Sequence, residues 1–219
     1  MSSKPTIAIL GGTGSEGTGL AMRWTHAGYK IIIGSRQTEK AQKVVGELNQ
    51  KLGTNSITGL QNDAAARAAD ICVLTVVQSA HQPALKGLKD ALQGKLLVDA
   101  TVRIEFSDPQ PPSPPSAARI AQDILGEGAT VVAAFQNVPA SALKKDLDKP
   151  VDADVLVFAD DLEGAEQVIQ LTQVGGMRGI YAGGLDNAIV AEGITAVLIS
   201  MNKHYGGHGA IQIKGIKQT

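Results

Sequence analysis

The stretch IAILGGTGSEG, residues 7–17, decides the fold of this 219-residue chain. Its first four residues are an apolar run typical of a buried strand, and residues 20–27 follow with a helix-like pattern. Gly12, Gly14 and Gly17 fit the spacing G-x-G-x-x-G. In that motif the glycines permit a tight turn, a close approach of the backbone to a pyrophosphate, and close packing of helix on strand. The stretch therefore predicts a dinucleotide-binding site.

The end of the next apolar run indicates which dinucleotide binds. Residues 31–33 are isoleucines, and Gly34, Ser35 and Arg36 follow them. NAD sites place an acidic residue near this point to accept the ribose 2′-hydroxyl, and that carboxylate would repel a 2′-phosphate. Arg36 and, one helical turn later, Lys40 are suited to a phosphate instead. We therefore predict NADP(H) as the cofactor.

The alternation of apolar runs and helix-like segments predicts the fold class. Residues 70–77 are rich in β-branched side chains, which is typical of a parallel strand covered on both faces. The pattern favours an α/β fold with a doubly wound, Rossmann-type, mostly parallel sheet and a small C-terminal extension. We expect an NADP-binding domain at residues 1–145 and a smaller portion completing the substrate cleft at residues 146–219. Further strands are predicted at residues 56–60, 96–100, 130–135, 153–158 and 179–181. Further helices are predicted at residues 38–52, 64–69, 83–92, 117–125, 162–174 and 187–201.

A proline-rich segment interrupts this alternation. Residues 108–115 read DPQPPSPP, and prolines have no backbone N–H to donate within a sheet or a helix. Residues 107–116 are therefore predicted to form a surface loop or a lid. Near the end of the chain, residues 210–216 are predicted to form an edge strand or an extended tail.

The composition excludes several classes of function. The formal net charge is −1, and the basic residues are scattered among acidic ones, so no nucleic acid partner is expected. The single cysteine, Cys72, lies in an apolar run and is predicted to be core packing. No apolar run is long enough to span a membrane, and the first residues are polar, so we expect a soluble cytoplasmic protein. Glycines separate His204 from His208, and no metal site is predicted.

Ligands of open α/β sheets bind beside the carboxyl ends of the strands, so five segments are expected to meet at one crevice. They are residues 12–17, 35–36, 77–78, 100–101 and 136–140. His81 follows the predicted strand that ends at residue 77. It is expected either to position the cofactor or to cap a helix or pack at the surface.

Five segments carry a resemblance to a known family: residues 9–14, residues 34–41, residues 57–59, residues 73–75, and residues 135–140 with their Val-Pro-Ala ending. They resemble the NADPH-dependent reductases of coenzyme F-420 (F420), an 8-hydroxy-5-deazaflavin, over most of the chain. The resemblance implies that NADP lies across the first domain and that the deazaflavin enters a cleft against the C-terminal portion. Hydride would then pass directly between the nicotinamide and the deazaflavin ring.

The resemblance also implies roles for individual residues around the cofactor. Beside Gly12 and Gly17, the pyrophosphate and ribose would be lined by Thr13, Gly14, Ser15 and Glu16. The 2′-phosphate would be held by Ser35, Arg36 and Lys40, and the nicotinamide would be flanked by Val77, Val138, Pro139 and Ala140. Direct hydride transfer depends on positioning and desolvation more than on a side-chain acid or base, so no catalytic side chain is predicted.

The identity of the second substrate stays open at this stage. Archaeal members of the family have a histidine at the position of Gln136 and a Ser-Arg pair at the positions of Ala188 and Ile189. Contacts to the deazaflavin would therefore be lost or replaced in this chain. The alternatives are an NADPH-dependent reductase of a flavin, quinone or imine, and a non-catalytic module that senses NADPH. No tyrosine is followed four residues later by lysine, which argues against the short-chain dehydrogenases.

The predicted helix at residues 187–201 is apolar and contains the small residues Ala191, Gly193 and Ala196. Such a helix can pack closely against a copy of itself and form a homodimer. Burial within its own monomer satisfies the same pattern.

Overall fold

A computed structural model of the protein describes residues 4–216. Within that range six strands form one parallel sheet in the order β3-β2-β1-β4-β5-β6. The strands are β1 (Ile7–Leu10), β2 (Ile31–Ser35), β3 (Ile57–Gln61), β4 (Ile71–Leu74), β5 (Leu96–Asp99) and β6 (Thr130–Ala133). This strand order defines the doubly wound Rossmann arrangement, whose ligands bind where the order reverses, between β1 and β4. The predicted fold class is confirmed.

Helices cover both faces of the sheet, as the continuous apolar strands require. The helices are α1 (Ser15–His26), α2 (Thr38–Leu52), α3 (Asn62–Ala68), α4 (Gln78–Leu88), α5 (Ala117–Leu125), α6 (Ala140–Leu143), α7 (Leu162–Val174) and α8 (Ala188–Tyr205). Ile7 and Ile9 of β1 face one core with α1, α2 and α7, whereas Ala8 and Leu10 face the other with α3, α4 and α5. Alternate residues of one strand therefore serve two separate cores.

Several predicted boundaries differ from the structure. Helix α1 begins at Ser15 and not at residue 20. Residues 15–19 carry no apolar pattern, so the sequence does not indicate that the helix starts directly after the glycine turn. Helix α4 begins at Gln78 and contains Pro83, which was predicted to open it. Helices α2, α5 and α7 have the predicted bounds, and residues 107–116 contain no helix or strand. The short helix α6 was not predicted.

The C-terminal portion contributes two further strands, β7 (Asp154–Val157) and β8 (Arg178–Tyr181), which pair in parallel. Two hydrogen bonds between Ala133 and Phe158, of 2.8 and 2.9 Å, join this pair to the edge of the large sheet. One hydrophobic core contains residues from both portions of the chain. The predicted division between residues 145 and 146 stays a prediction.

A buried arginine anchors the linker between the two portions. The guanidinium of Arg23 donates to the backbone carbonyls of Leu143 at 2.9 Å, Lys145 at 2.8 Å and Lys149 at 2.7 Å. Its side chain is 3% exposed, and these carbonyls compensate the loss of water that burial imposes. The linker is therefore held against α1.

Residues 210–216, where the described part of the chain ends, form a tail and contain no strand. The backbone N–H of Asp154 donates to Ile211 at 2.9 Å, and the N–H of Ile213 donates to the Asp154 carboxylate at 2.5 Å. Arg178 donates to the same carboxylate and holds its pKa below the usual range. The tail is thus tied to β7 and β8.

Candidate functional site

The three glycines of the motif have different surroundings. A Cβ on Gly12 would lie 2.6 Å from the carbonyl oxygen of Ile9, and a Cβ on Gly17 would lie 2.6 Å from the Cα of Gly12. A Cβ on Gly14 would meet nothing within 4 Å. Gly12 and Gly17 therefore allow the turn and the helix to pack closely. Gly14 leaves open space above the turn, as a close approach of a ligand to the backbone requires.

The first turn of α1 faces that open space. Gly14 occupies the N-cap position without a side chain to cap the helix, and both Gly14 and Ser15 are exposed. The first N–H groups of a helix lack intrahelical partners and carry partial positive charge. The geometry is that of an anion site of the kind that binds pyrophosphate in Rossmann folds.

The predicted 2′-phosphate residues lie next to this turn. The N–H of Gly12 donates to the carbonyl of Gly34 at 3.0 Å, which brings the end of β2 against the glycine motif. Ser35 is buried, and its Oγ accepts a hydrogen bond from the N–H of Gln37 at 3.1 Å. Arg36 and Lys40 are exposed beyond it. Two cations therefore lie at the outer end of the site.

A cleft of about 410 Å³ opens beside the N-terminus of α1. Four of the five segments expected at the crevice contribute to its lining, and Ser35 and Arg36 lie outside it. The lining residues from those segments are Gly14, Ser15, Glu16, Gly17, Val77, Ala100, Gln136, Asn137, Val138, Pro139 and Ala140. Thr195, Leu198 and Ile199 of α8 line the same cleft. A larger groove of about 800 Å³ lies between the tail and β7–β8, away from the glycine turn.

Buried polar side chains lie behind the cleft. Nε2 of His81 and Oδ2 of Asp99 are 2.7 Å apart, and both side chains are almost completely buried. The other carboxylate oxygen of Asp99 accepts from the backbone N–H of Thr101 at 3.0 Å. The amide of Gln136 donates to the carbonyl of Asp99 at 2.8 Å. Asp99 therefore connects α4, β5 and the segment after β6.

Asp99 is not among the predicted site residues, and the surface position predicted for His81 is wrong, because its side chain is 2% exposed. The sequence carries one signal that points to Asp99, which is that this aspartate ends the otherwise apolar run Leu96–Asp99. A charge at the carboxyl end of a buried strand points to a partner nearby.

Gln136 offers the cleft an unused acceptor. The residue is only 5% exposed, and its buried Oε1 atom has no hydrogen-bond partner among the described residues. The hydroxyl of Thr195 donates to the Gln136 carbonyl at 2.7 Å and ties that segment to α8. An unpaired buried carbonyl costs free energy, so a ligand N–H or O–H that reaches it would be favoured.

Glu16 lies in the first turn of α1, close enough to the buried Asp99 to be affected by its charge. Its side chain is half-buried and lines the cleft. Desolvation raises the pKa of the Glu16 carboxyl to about 8, and the nearby Asp99 carboxylate acts in the same direction. Both effects favour the neutral form of the Glu16 carboxyl.

The proline-rich loop is held against α8. The buried carboxylate of Glu192 accepts from the backbone N–H groups of Arg103 at 2.8 Å and Ala117 at 2.7 Å. Nζ of Lys203 donates to the carbonyls of Phe106 at 2.8 Å and Ser107 at 2.9 Å. The loop brings Phe106, whose side chain is 62% exposed, to the edge of the cleft. It has the position of a lid.

Cys72 is part of the core, as predicted. Its side chain is fully buried, and burial raises the pKa of the thiol to about 12. A thiol with so little thiolate character is a poor nucleophile.

The sheet order and the glycine turn define a Rossmann-type dinucleotide-binding protein. Comparison with known proteins narrows this class. The sequence profile of the family described as "NADP oxidoreductase coenzyme F420-dependent" matches residues 6–103. The chain is 39% identical over 208 residues to an F420-dependent NADP reductase of Methanothermobacter thermautotrophicus, covering 90% of this chain and 88% of the relative. It is 40% identical over 214 residues to one of Methanocaldococcus jannaschii, covering 93% and 95%. The chain belongs to the family of F420-dependent NADP oxidoreductases.

Solved structures agree with the fold. A crystal structure of a protein from Arthrobacter sp. FB24, assigned as an F420-dependent NADP reductase, superposes with a TM-score of 0.80 at 25% identity and covers 97% of this chain and 100% of that one. A pyrroline-5-carboxylate reductase from Coxiella burnetii superposes with a TM-score of 0.61 at 18% identity, covering 93% and 71%. The second likeness concerns the fold alone. Within the described residues, no helix is long and apolar enough to cross a membrane.

Proposed function

We propose that the protein transfers a hydride directly between NADP(H) and F420, both of which are substrates. The observation that carries this proposal is the cleft itself, which begins at the glycine turn and has an apolar wall beside it. Membership of the F420-dependent family supports the choice of F420 over a flavin, quinone or imine. A module that only senses NADPH has no need of an open cleft of this size beside the turn.

Each part of the site has a role in this reaction. The N-terminus of α1 binds the pyrophosphate, and Ser35, Arg36 and Lys40 bind the 2′-phosphate. Val77, Val138, Pro139 and Ala140 hold the nicotinamide against a dry surface. Hydride transfer between two bound rings is accelerated mainly by fixing their distance and excluding water. No side chain has to form a bond with either substrate.

Gln136 is the residue that we assign to the second ring. Its buried Oε1 lacks a partner in the described residues and lines the cleft. The pyrimidine part of a deazaflavin carries an N–H that can donate to such a carbonyl. This contact replaces the one that a histidine would make at the same position.

A spectrophotometric assay tests the proposal. Purified protein is mixed with NADPH and oxidised F420, and the bleaching of the deazaflavin is followed, with a flavin and a quinone in parallel. We expect turnover with F420 and at most slow turnover with the other acceptors. NADPH binding without bleaching of F420 would reject the assignment, and the acceptor that did react would replace it. Binding with no acceptor at all would favour the sensing module.

We also propose that residues 1–145 carry NADP and that residues 146–219 complete the cleft for the second substrate. Thr195, Leu198 and Ile199, which line the cleft, come from the second portion and support this division of work. A cytoplasmic location is proposed as well, on the basis of the buried, unpaired Cys72. Cell fractionation with an antibody against the chain tests the location.

The exposed face of α8 supports a homodimer. Val190, Val197 and Met201 are 56%, 52% and 46% exposed, and their spacing puts them on one stripe of the helix. All three side chains are apolar, and the net charge of −1 on each chain gives little repulsion between two copies. Two such stripes related by a twofold axis would cover each other, as in most symmetric dimers.

The oligomeric state tests this second proposal. We expect light scattering to give twice the 22.7 kDa mass of one chain. Val197→Glu should produce monomers, because it would place two carboxylates in an apolar interface. Val174→Glu at the exposed end of α7 is the matched control and should leave the dimer intact. A monomeric wild-type protein would overturn the proposal.

A further inference from the structure

Glu16 differs from every other residue that lines the cleft. The described lining consists of glycines, apolar residues, hydroxyl side chains and amides, with Glu16 as the one titratable side chain. Among the described residues, burial and the charge of Asp99 act on its carboxyl, and no hydrogen bond holds it. A carboxylate in the first turn of a helix is normally stabilised by the helix dipole. At Glu16, burial and the charge of Asp99 oppose the stabilisation of the carboxylate by the helix dipole.

The groups that face Glu16 from neighbouring elements explain why its carboxyl favours the protonated form. Asp99 at the end of β5 is the acidic group that acts on it, and Oδ2 of Asp99 lies 2.7 Å from Nε2 of His81 of α4. Gln136, after β6, contributes a buried amide that carries no charge. Apolar residues such as Val77 and Ala140 complete the lining. Burial and the Asp99 charge therefore oppose the helix dipole and favour the protonated form of the Glu16 carboxyl.

The proposed reaction requires one proton in addition to the hydride. When hydride leaves C4 of the dihydronicotinamide, its C–H bond breaks and a new C–H bond forms at C5 of the deazaflavin. The electron pair moves through the conjugated ring to a ring nitrogen, which then takes up a proton. NADPH, oxidised F420 and one proton become NADP⁺ and reduced F420. Two rings bound in the cleft would exclude water and so restrict the supply of that proton from solvent.

We propose that Glu16 is the general acid and base of this reaction, donating the proton to the deazaflavin when NADPH is the hydride donor and accepting it in the reverse direction. The O–H bond of the Glu16 carboxyl breaks as the N–H bond forms, leaving a carboxylate that regains a proton from solvent. The inference rests on the proposed function. It assigns a catalytic side chain where the sequence motif indicates only a phosphate-binding turn.

Other groups near the cleft are less suited to this role. Both oxygens of Asp99 already accept hydrogen bonds, one with His81 and one from the N–H of Thr101. Asp99 is also 0% exposed and does not line the cleft, whereas Glu16 does. The carboxylate of Glu192 is held by two backbone N–H groups of the lid region. Glu16 is the acid that is both accessible to a substrate and free of a competing partner among the described residues.

The first test measures the proton on Glu16 directly and needs no turnover. The protein is labelled with glutamate carrying ¹³C at the side-chain carboxyl, and the resonances are followed by NMR as the pH is raised. We expect one resonance to titrate near pH 8 and to vanish in Glu16→Gln. Glu163→Gln is the matched control, because Glu163 is also the second residue of a helix but is exposed and lies outside the cleft. Titration of Glu16 near the ordinary value of 4.5 would overturn the inference.

The second test measures hydride transfer in a single turnover by stopped flow. General acid catalysis contributes about 100-fold or more, so Glu16→Gln should slow the bleaching of F420 by that factor. The wild-type rate should fall as the pH passes 8, and this fall should be absent in Glu16→Gln. Glu16→Asp should recover part of the rate, and Glu163→Gln should match the wild type.

The outcomes separate this inference from the proposed function. If the wild-type protein fails to reduce F420 at all, the proposed function fails, whatever the NMR titration shows. If the wild type reduces F420 and Glu16→Gln keeps both the rate and the pH profile, the function stands and the role of Glu16 is rejected. An equal loss of NADPH affinity and rate in Glu16→Gln, with no change in the pH profile, would also reject it.

Discussion

A Cβ atom on Gly17 would lie 2.6 Å from the Cα of Gly12. Such a contact is shorter than any stable packing distance between carbon atoms, so the first turn of α1 can rest on the glycine turn only without a side chain at this position. The same test at Gly14 finds open space. The motif therefore combines two glycines required by close packing with one that leaves open space at the start of α1.

This difference predicts that a substitution at Gly14 affects ligand binding, whereas one at Gly17 affects stability. Gly14→Val should fold normally and lose NADPH binding, because the new side chain would occupy the space above the turn. Gly17→Ala should lower the free energy of unfolding by about 1 to 3 kcal/mol, as overpacking of a core does. Urea denaturation and isothermal titration calorimetry measure the two effects. Tight NADPH binding by folded Gly14→Val would mean that the pyrophosphate binds elsewhere.

A second prediction concerns the choice of NADP over NAD. Arg36→Ala should weaken NADPH binding by about 1.5 to 3 kcal/mol, the range for hydrogen bonds to charged groups, and should leave NADH binding nearly unchanged. Lys51→Ala, at the other end of α2 and also exposed, controls for the loss of a surface charge. Dissociation constants from fluorescence titration provide the measurement. Equal affinity of the wild type for NADH and NADPH would contradict the prediction.

A third prediction follows from the linkage between protonation and folding. The pKa of Glu16 is raised from 4.5 to about 8, so the folded protein keeps this proton over a range in which the unfolded chain releases it. The stability that Glu16 contributes is complete below pH 4.5 and is lost as the pH rises to about 8. Because a glutamine side chain cannot ionise, the Glu16→Gln variant should be increasingly stable relative to the wild type across this range. Melting temperatures at several pH values test the trend, which Glu163→Gln should lack.

The parts of the site that could be predicted from the sequence are those made by neighbouring residues. The glycine turn, the end of β2 with Ser35 and Arg36, and the small residues at 138–140 each depend on a short local pattern. Apolar periodicity was sufficient to predict the alternating strands and helices, because each buried strand is covered on both faces. These features required no knowledge of which distant residues meet.

The buried polar residues could not be predicted in this way. His81 and Asp99 are 18 positions apart and lie on different elements, so their pairing appears only when α4 packs beside β5. The raised pKa of Glu16 depends on burial and on Asp99, and neither is visible in a motif that is normally associated with phosphate binding. Helix α6 has only four residues, which is too short for an apolar period to emerge.

The last prediction concerns the slot for the second substrate. Ala140 is half-buried, begins α6 and lines the cleft together with Val138 and Pro139. Ala140→Trp should fill the slot and reduce turnover with F420 by about 100-fold or more, since small misplacements of reacting groups have effects of that size. NADPH should still bind, because the phosphate contacts that we propose for it lie at α1 and at the end of β2. Ala68→Trp, at an exposed position outside the cleft, controls for the added bulk. Wild-type turnover in Ala140→Trp would show that the deazaflavin occupies another part of the cleft.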